Sequence, residues 1–110
     1  MRQGDIWIAD LDPTEGSEQA GRRPVVIISG DTLNTALQIA IVVPLSTRVK
    51  SLRGAILLQP NSTNGLDRET KAMPFQVRTL AKTRFKRKVG MVSAVELREI
   101  IQGLFVVLTH

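Results

Sequence analysis

The sequence predicts a small, strongly bent antiparallel sheet or barrel with one helix at its carboxyl end, in a single domain spanning residues 1–110. Three observations predict this class. Short runs of β-branched and other apolar residues recur along the chain, and clusters of Gly, Pro, Asn and Asp separate them. Residues 93–110 instead show apolar positions at helical spacing. The chain is also long enough to bury roughly two thirds of its unfolded surface in one core.

The first three strands are predicted from residue type and spacing. Residues 5–11, DIWIADL, alternate and include aromatic and β-branched side chains, which is typical of a strand. After a polar loop over 12–22, residues 23–29, RPVVIIS, form the second strand, because proline is tolerated where a strand begins. Residues 31–37 predict a single helical turn. The third strand, 38–45, is almost wholly apolar, which indicates a central position in the sheet.

Three further strands are predicted in the second half of the chain. Residues 55–60, AILLQP, form the fourth strand, and the turn residues of 61–67 close it. Residues 72–80, AMPFQVRTL, form the fifth strand. Pro74 interrupts this strand, which indicates an edge or a bulge there. Residues 88–92, KVGMV, form the sixth strand.

The carboxyl-terminal helix has the clearest signal. Ser93 followed by Glu96 predicts a capping box at its start. The apolar positions that follow at helical spacing are Leu97, Ile100, Ile101, Leu104, Phe105 and Leu108. This stripe must pack on the sheet or on another subunit. Residues 104–108, LFVVL, are apolar on nearly every side, and we therefore expect a homodimer that uses this helix or adjacent strands.

The charge balance favours an anionic partner. The chain has 15 Lys and Arg against 10 Asp and Glu, a net charge of +5. No acid lies between Glu69 and Glu96, and the basic residues of that segment are Lys71, Arg78, Lys82, Arg84, Lys86, Arg87 and Lys88. Such a field attracts polyanions, nucleic acid first, although a solvated basic face is the simpler alternative. Aromatic content of 4% argues against a platform that stacks several bases.

Several chemistries are excluded by composition. Without cysteine there is no disulfide, thiolate metal site or cysteine nucleophile. The one histidine, His110, is the last residue, where we expect a solvated end, and we expect neither a metal nor another cofactor. The amino terminus lacks a signal-peptide core, and no apolar run approaches the ~20 residues of a membrane span. We therefore expect a soluble, cytoplasmic protein.

Polar side chains flank the second and third strands and suggest a phosphate site. Arg22 and Arg23 precede the second strand, and Ser46, Thr47 and Arg48 follow the third. If these strands are antiparallel neighbours, Arg23 and Ser46 share one rim of the sheet. A guanidinium matches two phosphate oxygens, and a hydroxyl beside it can donate a further hydrogen bond. Serine and threonine after a proline are also ordinary turn residues, which is the alternative.

Four segments give the chain a resemblance to a known family: GDIWIADLDPTEGSEQAGRRPVVIIS, VVPLSTR, QVRTL and VSAVELREI. In this order and over the whole chain they resemble the MazF/PemK family of toxin–antitoxin ribonucleases. The resemblance implies an SH3-like barrel with helices, forming homodimers. It implies cleavage of single-stranded RNA at short motifs without a metal, leaving a 2′,3′-cyclic phosphate and a 5′-hydroxyl. It also implies a small acidic antitoxin of the MazE type, laid as an extended segment across the RNA groove.

The resemblance also implies roles for individual residues. Arg23, directly before the proline, matches the catalytic arginine, and residues 12–22 match the loop over the RNA groove. Ser46 stands where the family usually has a catalytic threonine, with Thr47 beside it as a possible substitute. The residues expected to contact RNA are Gln19, Arg22, Arg48, Lys50, Gln76, Arg78 and Arg84.

The general base is the position at which the chain departs from the family. Phe75 stands where many members carry an acid, and phenylalanine cannot take a proton. Either Glu18, the best-placed carboxylate, serves instead, or the protein is a slow or inactive variant. A non-catalytic toxin or nucleic-acid-binding barrel of the same fold is the alternative function. Its gyrase-poisoning form is disfavoured, because that toxin ends in Trp-Gly-Ile and this chain ends in VVLTH.

Overall fold

This computed structural model describes residues 1–11, 21–48 and 54–110. Within those ranges the chain forms a seven-stranded antiparallel sheet, two α-helices and two 3₁₀ turns. The strands are β1 (Asp5–Asp10), β2 (Arg22–Ile27), β3 (Ile39–Ser46), β4 (Ile56–Leu58), β5 (Thr70–Ala72), β6 (Arg78–Ala81) and β7 (Phe85–Met91). The helices are α1 (Asp31–Ala36) and α2 (Ala94–Thr109), and the 3₁₀ turns are Pro74–Gln76 and Lys82–Arg84.

Strand β3 is the central strand, as its apolar sequence predicted. One edge of β3 pairs with β2. The other edge pairs first with β6, over residues 39–42, and then with β5, over residues 45–46. Pro44, which has no N–H to donate, falls between these two partners. The proline is therefore accommodated in a buried strand without the loss of a ladder hydrogen bond to either β6 or β5.

The sheet curves into a small barrel. Strands β6, β3, β2, β1 and β7 are neighbours in that order, so β6 and β7 lie at opposite ends of the row. In a flat sheet four spacings would separate them by about 19 Å. The chain passes from Ala81 to Phe85 through one 3₁₀ turn, and four Cα steps span at most about 14 Å. The predicted mainly β class, a bent antiparallel barrel with a carboxyl-terminal helix, is confirmed.

Side chains on the two faces of the sheet form two apolar clusters, as strand alternation requires. The helix-side cluster packs under α2 and includes Ile6, Val26, Val43, Leu45, Leu58, Ala72 and Ile100. The opposite cluster includes Ala9, Leu11, Val25, Ile27, Ala40, Val42, Leu80 and Phe85, with Trp7 packed against it. Because neighbouring residues of β2 and β3 belong to different clusters, the register of these strands is fixed from both faces.

Three of the predicted strands were wrong in extent. The fourth, predicted over 55–60, covers only Ile56–Leu58. The fifth, 72–80, is divided into β5, a 3₁₀ turn and β6, which raises the number of strands from six to seven. Pro74 opens that turn, and Val77 N donates to Pro74 O at 3.1 Å in place of a ladder bond. The sixth strand begins at Phe85 rather than at residue 88, because the basic residues before Val89 lie on an exposed edge strand and do not interrupt it.

The capping box of α2 is confirmed, and its apolar stripe is divided between two environments. Glu96 N donates to Ser93 Oγ at 3.1 Å, and Ser93 N donates to Glu96 Oε1 at 2.8 Å. Leu97, Ile100 and Leu104 pack on the helix-side cluster. The rest of the predicted stripe faces outward: Ile101, Phe105 and Leu108 are 39%, 66% and 72% exposed.

Close backbone packing between β7 and the turn before β5 gives the first prediction. A Cβ on Gly90 would lie 2.5 Å from the carbonyl carbon and oxygen of Asn64 and from Thr63 O. We expect Gly90→Ala to lower the free energy of unfolding by roughly 1–3 kcal/mol, because backbone atoms must move apart. Gly30→Ala, where no atom lies within 4 Å, is the matched control. Thermal denaturation of both variants measures the difference, and an unchanged midpoint for Gly90→Ala would contradict the packing.

Candidate active site

The rim of the sheet carries a row of three polar residues on three neighbouring strands. Strand β2 pairs with β3 through Val25 opposite Pro44, and continuing this register by two residues places Arg23 opposite Ser46. On the other edge of β3, Ser46 is paired with Lys71 of β5. The predicted antiparallel pairing of the second and third strands is therefore present, and the structure adds Lys71. We call Arg23, Ser46 and Lys71 the rim row.

The rim row lies on one face of the sheet. Val25 and Ile27 belong to the opposite cluster, and Arg23 follows in the same alternation. Its partner on β1 is Ala9, another member of that cluster. Residues that stand opposite one another in neighbouring antiparallel strands project to the same face. The three polar side chains therefore continue the apolar face of the barrel at its edge, where ligands can reach them.

Within the described part of the chain, no carboxylate forms an ion pair with either cation of the rim row. The ion pairs described are Arg2–Asp31, Arg68–Asp67 and Lys88–Asp5. Arg23 Nε is buried, and no acceptor among the described residues lies within hydrogen-bonding distance of it. A buried donor without a partner costs free energy. A bound anion would reduce that cost and would be attracted by both cations.

The hydroxyl group of Ser46 is oriented by its own strand end. Arg48 N donates to Ser46 Oγ at 3.0 Å, a local turn that uses the oxygen as acceptor. The hydroxyl hydrogen is left to donate outward, since a serine hydroxyl both accepts and donates. Ser46 is 9% exposed, whereas the side chains of Thr47 and Arg48 lie in solvent. The hydroxyl group of Ser46 is therefore held in place at the end of β3, whereas the side chain of Thr47 is exposed.

Arg78 and Arg84 hold the end of β1. Arg78 Nη1 donates to Leu11 O, and Arg84 Nη1 donates to Asp10 O, each at 3.3 Å. Arg78 stands opposite Val42, about 13 Å along β3 from Ser46 at the rise of a strand. Both arginines are half-buried and lie outside the rim row. Their hydrogen bonds to the carbonyl groups of Leu11 and Asp10 stabilise the carboxyl end of β1.

The remaining predicted site residues are spread around this rim. Arg22 is exposed and stands opposite Asp10 in the β1–β2 ladder. Gln76 and Phe75 lie half-buried in the 3₁₀ turn between β5 and β6. Three predicted residues lie outside the described ranges: Glu18, Gln19 and Lys50.

Lys71 was missed as a site residue. It belongs to the acid-free basic segment of the sequence, but the predicted fifth strand began at residue 72 and so left Lys71 in a loop. The structure extends β5 to Thr70 and pairs it with the end of β3. A strand reading that began two residues earlier, at the β-branched Thr70, would have included it.

A second basic feature lies on β7. Lys86, Arg87 and Lys88 are exposed on a strand that pairs only with β1 among the described strands. Charged side chains protect an edge strand from pairing with another chain, and they also attract polyanions.

The described residues contain no group of three or more His, Asp or Glu side chains that could hold a metal ion. Within the same ranges, no helix is long and apolar enough to span a membrane.

The described residues form a small antiparallel barrel whose rim carries two cations and a hydroxyl group, an arrangement that suits an anionic ligand. The family model for the PemK-like, MazF-like toxins of type II toxin–antitoxin systems matches residues 2–108. The chain belongs to this family.

Individual relatives agree with the family. The chain is 38% identical over 109 residues to endoribonuclease MazF9 of Mycobacterium tuberculosis, covering 94% of this chain and 92% of the relative. It is 38% identical over 101 residues to endoribonuclease MazF of Staphylococcus saprophyticus, covering 91% of this chain and 84% of the relative. A chain of the MazE–MazF complex from Deinococcus radiodurans has the same fold, with a TM-score of 0.78, 22% identity and coverage of 98% and 95%.

The buried contact of Arg78 gives the second prediction. We expect Arg78→Met to lower the free energy of unfolding by about 1–2 kcal/mol, because the carbonyl of Leu11 loses a charged donor while the apolar stem is kept. The exposed Arg87→Met is the control and should change it by less than about 0.5 kcal/mol. Urea denaturation measures both. Equal stability of the two variants would show that the Arg78 contact does not hold the end of β1.

Proposed function

We propose that this toxin is a metal-independent endoribonuclease that cleaves single-stranded RNA at short motifs, and that the rim row holds the scissile phosphate. Endoribonuclease activity is that of both 38% identical relatives. The observation that carries the assignment of the site is the row of Arg23, Ser46 and Lys71 on one face, whose two cations form no ion pair with any described carboxylate. Single strands suit such a site, because their backbone and bases are not held in a helix.

The reaction requires three events at one phosphate. The 2′-hydroxyl of the preceding ribose loses a proton, charge on the non-bridging oxygens is neutralised, and the 5′-oxygen gains a proton as it leaves. Attack by the adjacent 2′-oxygen yields a 2′,3′-cyclic phosphate and a 5′-hydroxyl. No electrons are transferred in this step.

Arg23 and Ser46 have distinct roles in this proposal. The guanidinium of Arg23 has an unpartnered Nε and binds the non-bridging oxygens, where negative charge develops. The Ser46 hydroxyl, held through its oxygen by Arg48 N, donates its hydrogen to the same phosphate. Serine keeps the donor of the family's threonine but lacks the methyl group. Thr47, being exposed, serves in binding rather than at the reacting atoms.

The general base belongs to the segment outside the described residues. Phe75 lies half-buried in the 3₁₀ turn and has no acidic group. Glu18 remains the proposed base. A hydrogen bond of 2.9 Å, from Leu11 N to Gly21 O, joins the two described residues at the ends of its segment. That junction lies beside Arg22 and Arg23. RNA contacts by Gln19, Arg22, Arg48, Lys50, Gln76, Arg78 and Arg84 complete the proposed groove.

An antitoxin partner fits the same surface. A solved MazE–MazF complex shares the fold of this chain. We propose that an acidic antitoxin of the MazE type lays carboxylates where RNA phosphates would bind, since the rim row and the β7 edge carry a cationic surface. Such binding is electrostatic, so it weakens as salt rises and competes with RNA.

The third prediction tests the activity and the site together. In single-turnover cleavage of a long RNA in EDTA, Arg23→Ala should lose at least about 100-fold in rate, as when an oxyanion donor is removed. Ser46→Ala should lose less, and Ser46→Thr should match or exceed the parent. RNA binding by Arg23→Ala should persist, because Arg48, Lys86 and Arg87 remain.

Arg68→Ala, at a side chain that is 70% exposed, is the control for charge alone and should cleave at the parental rate. Full activity of Arg23→Ala would place the active site elsewhere. If the parental protein binds RNA and leaves no discrete fragments, the non-catalytic alternative is correct.

The fourth prediction concerns the outward face of α2. Ile101, Phe105 and Leu108 recur at i, i+4 and i+7, and the last two are among the most exposed apolar side chains described. An exposed apolar stripe of this kind indicates a protein interface, and we propose a homodimer through it. Sedimentation at micromolar concentration should show a dimer that Phe105→Asp converts to a monomer. Leu37→Asp, at an exposed apolar residue on α1's end, should leave it intact. A monomeric parental protein would contradict the proposal.

A further inference from the structure

Lys71 occupies a defined place beside the proposed phosphate. It stands opposite Ser46 of β3 on one side and opposite Leu57 of β4 on the other. Paired strands therefore fix its backbone on both edges. Residues directly opposite in antiparallel strands have Cβ atoms about 4.5–5.5 Å apart. Arg23 and Lys71 consequently flank Ser46 from its two sides, about 10 Å from each other at the spacing of strands.

The composition of the chain narrows what can donate a proton there. It has no tyrosine or cysteine, and its one histidine, His110, is exposed after the end of α2. Arg23 is a guanidinium, which does not give up a proton in proteins. A lysine ammonium carries three protons and can release one. Within the rim row, Lys71 is the side chain whose charged form can both attract an anion and protonate an oxygen.

The topology places Arg23 and Lys71 on opposite sides of β3. Strand β2 pairs with one edge of β3, and β5 pairs with the other. In-line displacement puts the attacking and leaving oxygens on opposite sides of phosphorus. An acid on β5 therefore requires a base that acts from the β2 side of the phosphate.

We propose that Lys71 is the general acid that protonates the leaving 5′-oxygen, an inference that rests on the proposed ribonuclease function. The bond between phosphorus and the 2′-oxygen forms as the bond between phosphorus and the 5′-oxygen breaks. The 2′-hydroxyl proton passes to the base, and a proton of the Lys71 ammonium passes to the 5′-oxygen. Lys71 is left as a neutral amine, and solvent returns to it the proton that the base releases. The transesterification is therefore balanced.

The test compares two leaving groups. The cleavage site is first mapped on a long RNA, and two oligonucleotides are then made around it, one natural and one with sulfur in place of the bridging 5′-oxygen. A thiolate leaves without protonation, because a thiol is a far stronger acid than an alcohol. Single-turnover rates in EDTA are measured for the parental protein, for Lys71→Arg and Lys71→Gln, and for the control Arg68→Gln, whose side chain is 70% exposed. Circular dichroism and thermal midpoints establish that each variant is folded.

We expect Lys71→Arg and Lys71→Gln to cleave the natural RNA at least about 100-fold more slowly than the parent, the usual size of a general-acid contribution. On the sulfur substrate both variants should come within about 10-fold of the parental rate, and Arg68→Gln should match the parent on both substrates. Parental rates for Lys71→Arg on natural RNA would show that Lys71 supplies charge alone. Equal losses on both substrates would show that it binds or positions RNA. Either result overturns the proposal while leaving the ribonuclease intact, whereas a parental protein that cleaves neither RNA overturns the function itself.

Discussion

The pairing of β3 along both of its edges is the constraint on which the rest of the molecule depends. One edge is occupied by β2, and the other is shared by β6 and β5, with Pro44 at the change of partner. The pairing with β6 closes the barrel, because β6 leads into β7 through a single 3₁₀ turn. The pairing with β5 brings Lys71 to the end of β3. One strand therefore determines both the curvature of the sheet and the composition of its rim.

The rim row is a place where function opposes stability. Arg23 and Lys71 flank one serine with no carboxylate against either of them in the described ranges, and Arg23 Nε is buried without an acceptor. Two apolar clusters with fully buried members, including Ile27 and Val42, offset that cost. A phosphate bound only by the folded state would also stabilise the fold by mass action. An anion bound at the rim row would therefore relieve part of this electrostatic cost.

The sequence was most informative where structure is determined by local chemistry. Strand alternation and the apolar character of β3 predicted the strands that hold Arg23 and Ser46, and the capping box at Ser93 predicted α2. Pro74 was recognised as an interruption, but only the structure shows a 3₁₀ turn with separate strands on either side. Lys71 was missed because its partner on β3 is distant in the chain, and pairing at that separation leaves no local signal. Periodicity likewise identified the stripe of α2 without showing that only one part of it reaches the core.

The hydrogen bond between Leu11 N and Gly21 O has an evolutionary consequence. It closes the connection between β1 and β2 at its base, so the ladder below is complete whatever chain is inserted above it. Each doubling in the length of a flexible insertion costs only about 0.6 kcal/mol in closure entropy. The segment between Leu11 and Gly21 can then change in sequence and length while the strands below it stay in register. A barrel built in this way can vary this connection without having to evolve its fold again.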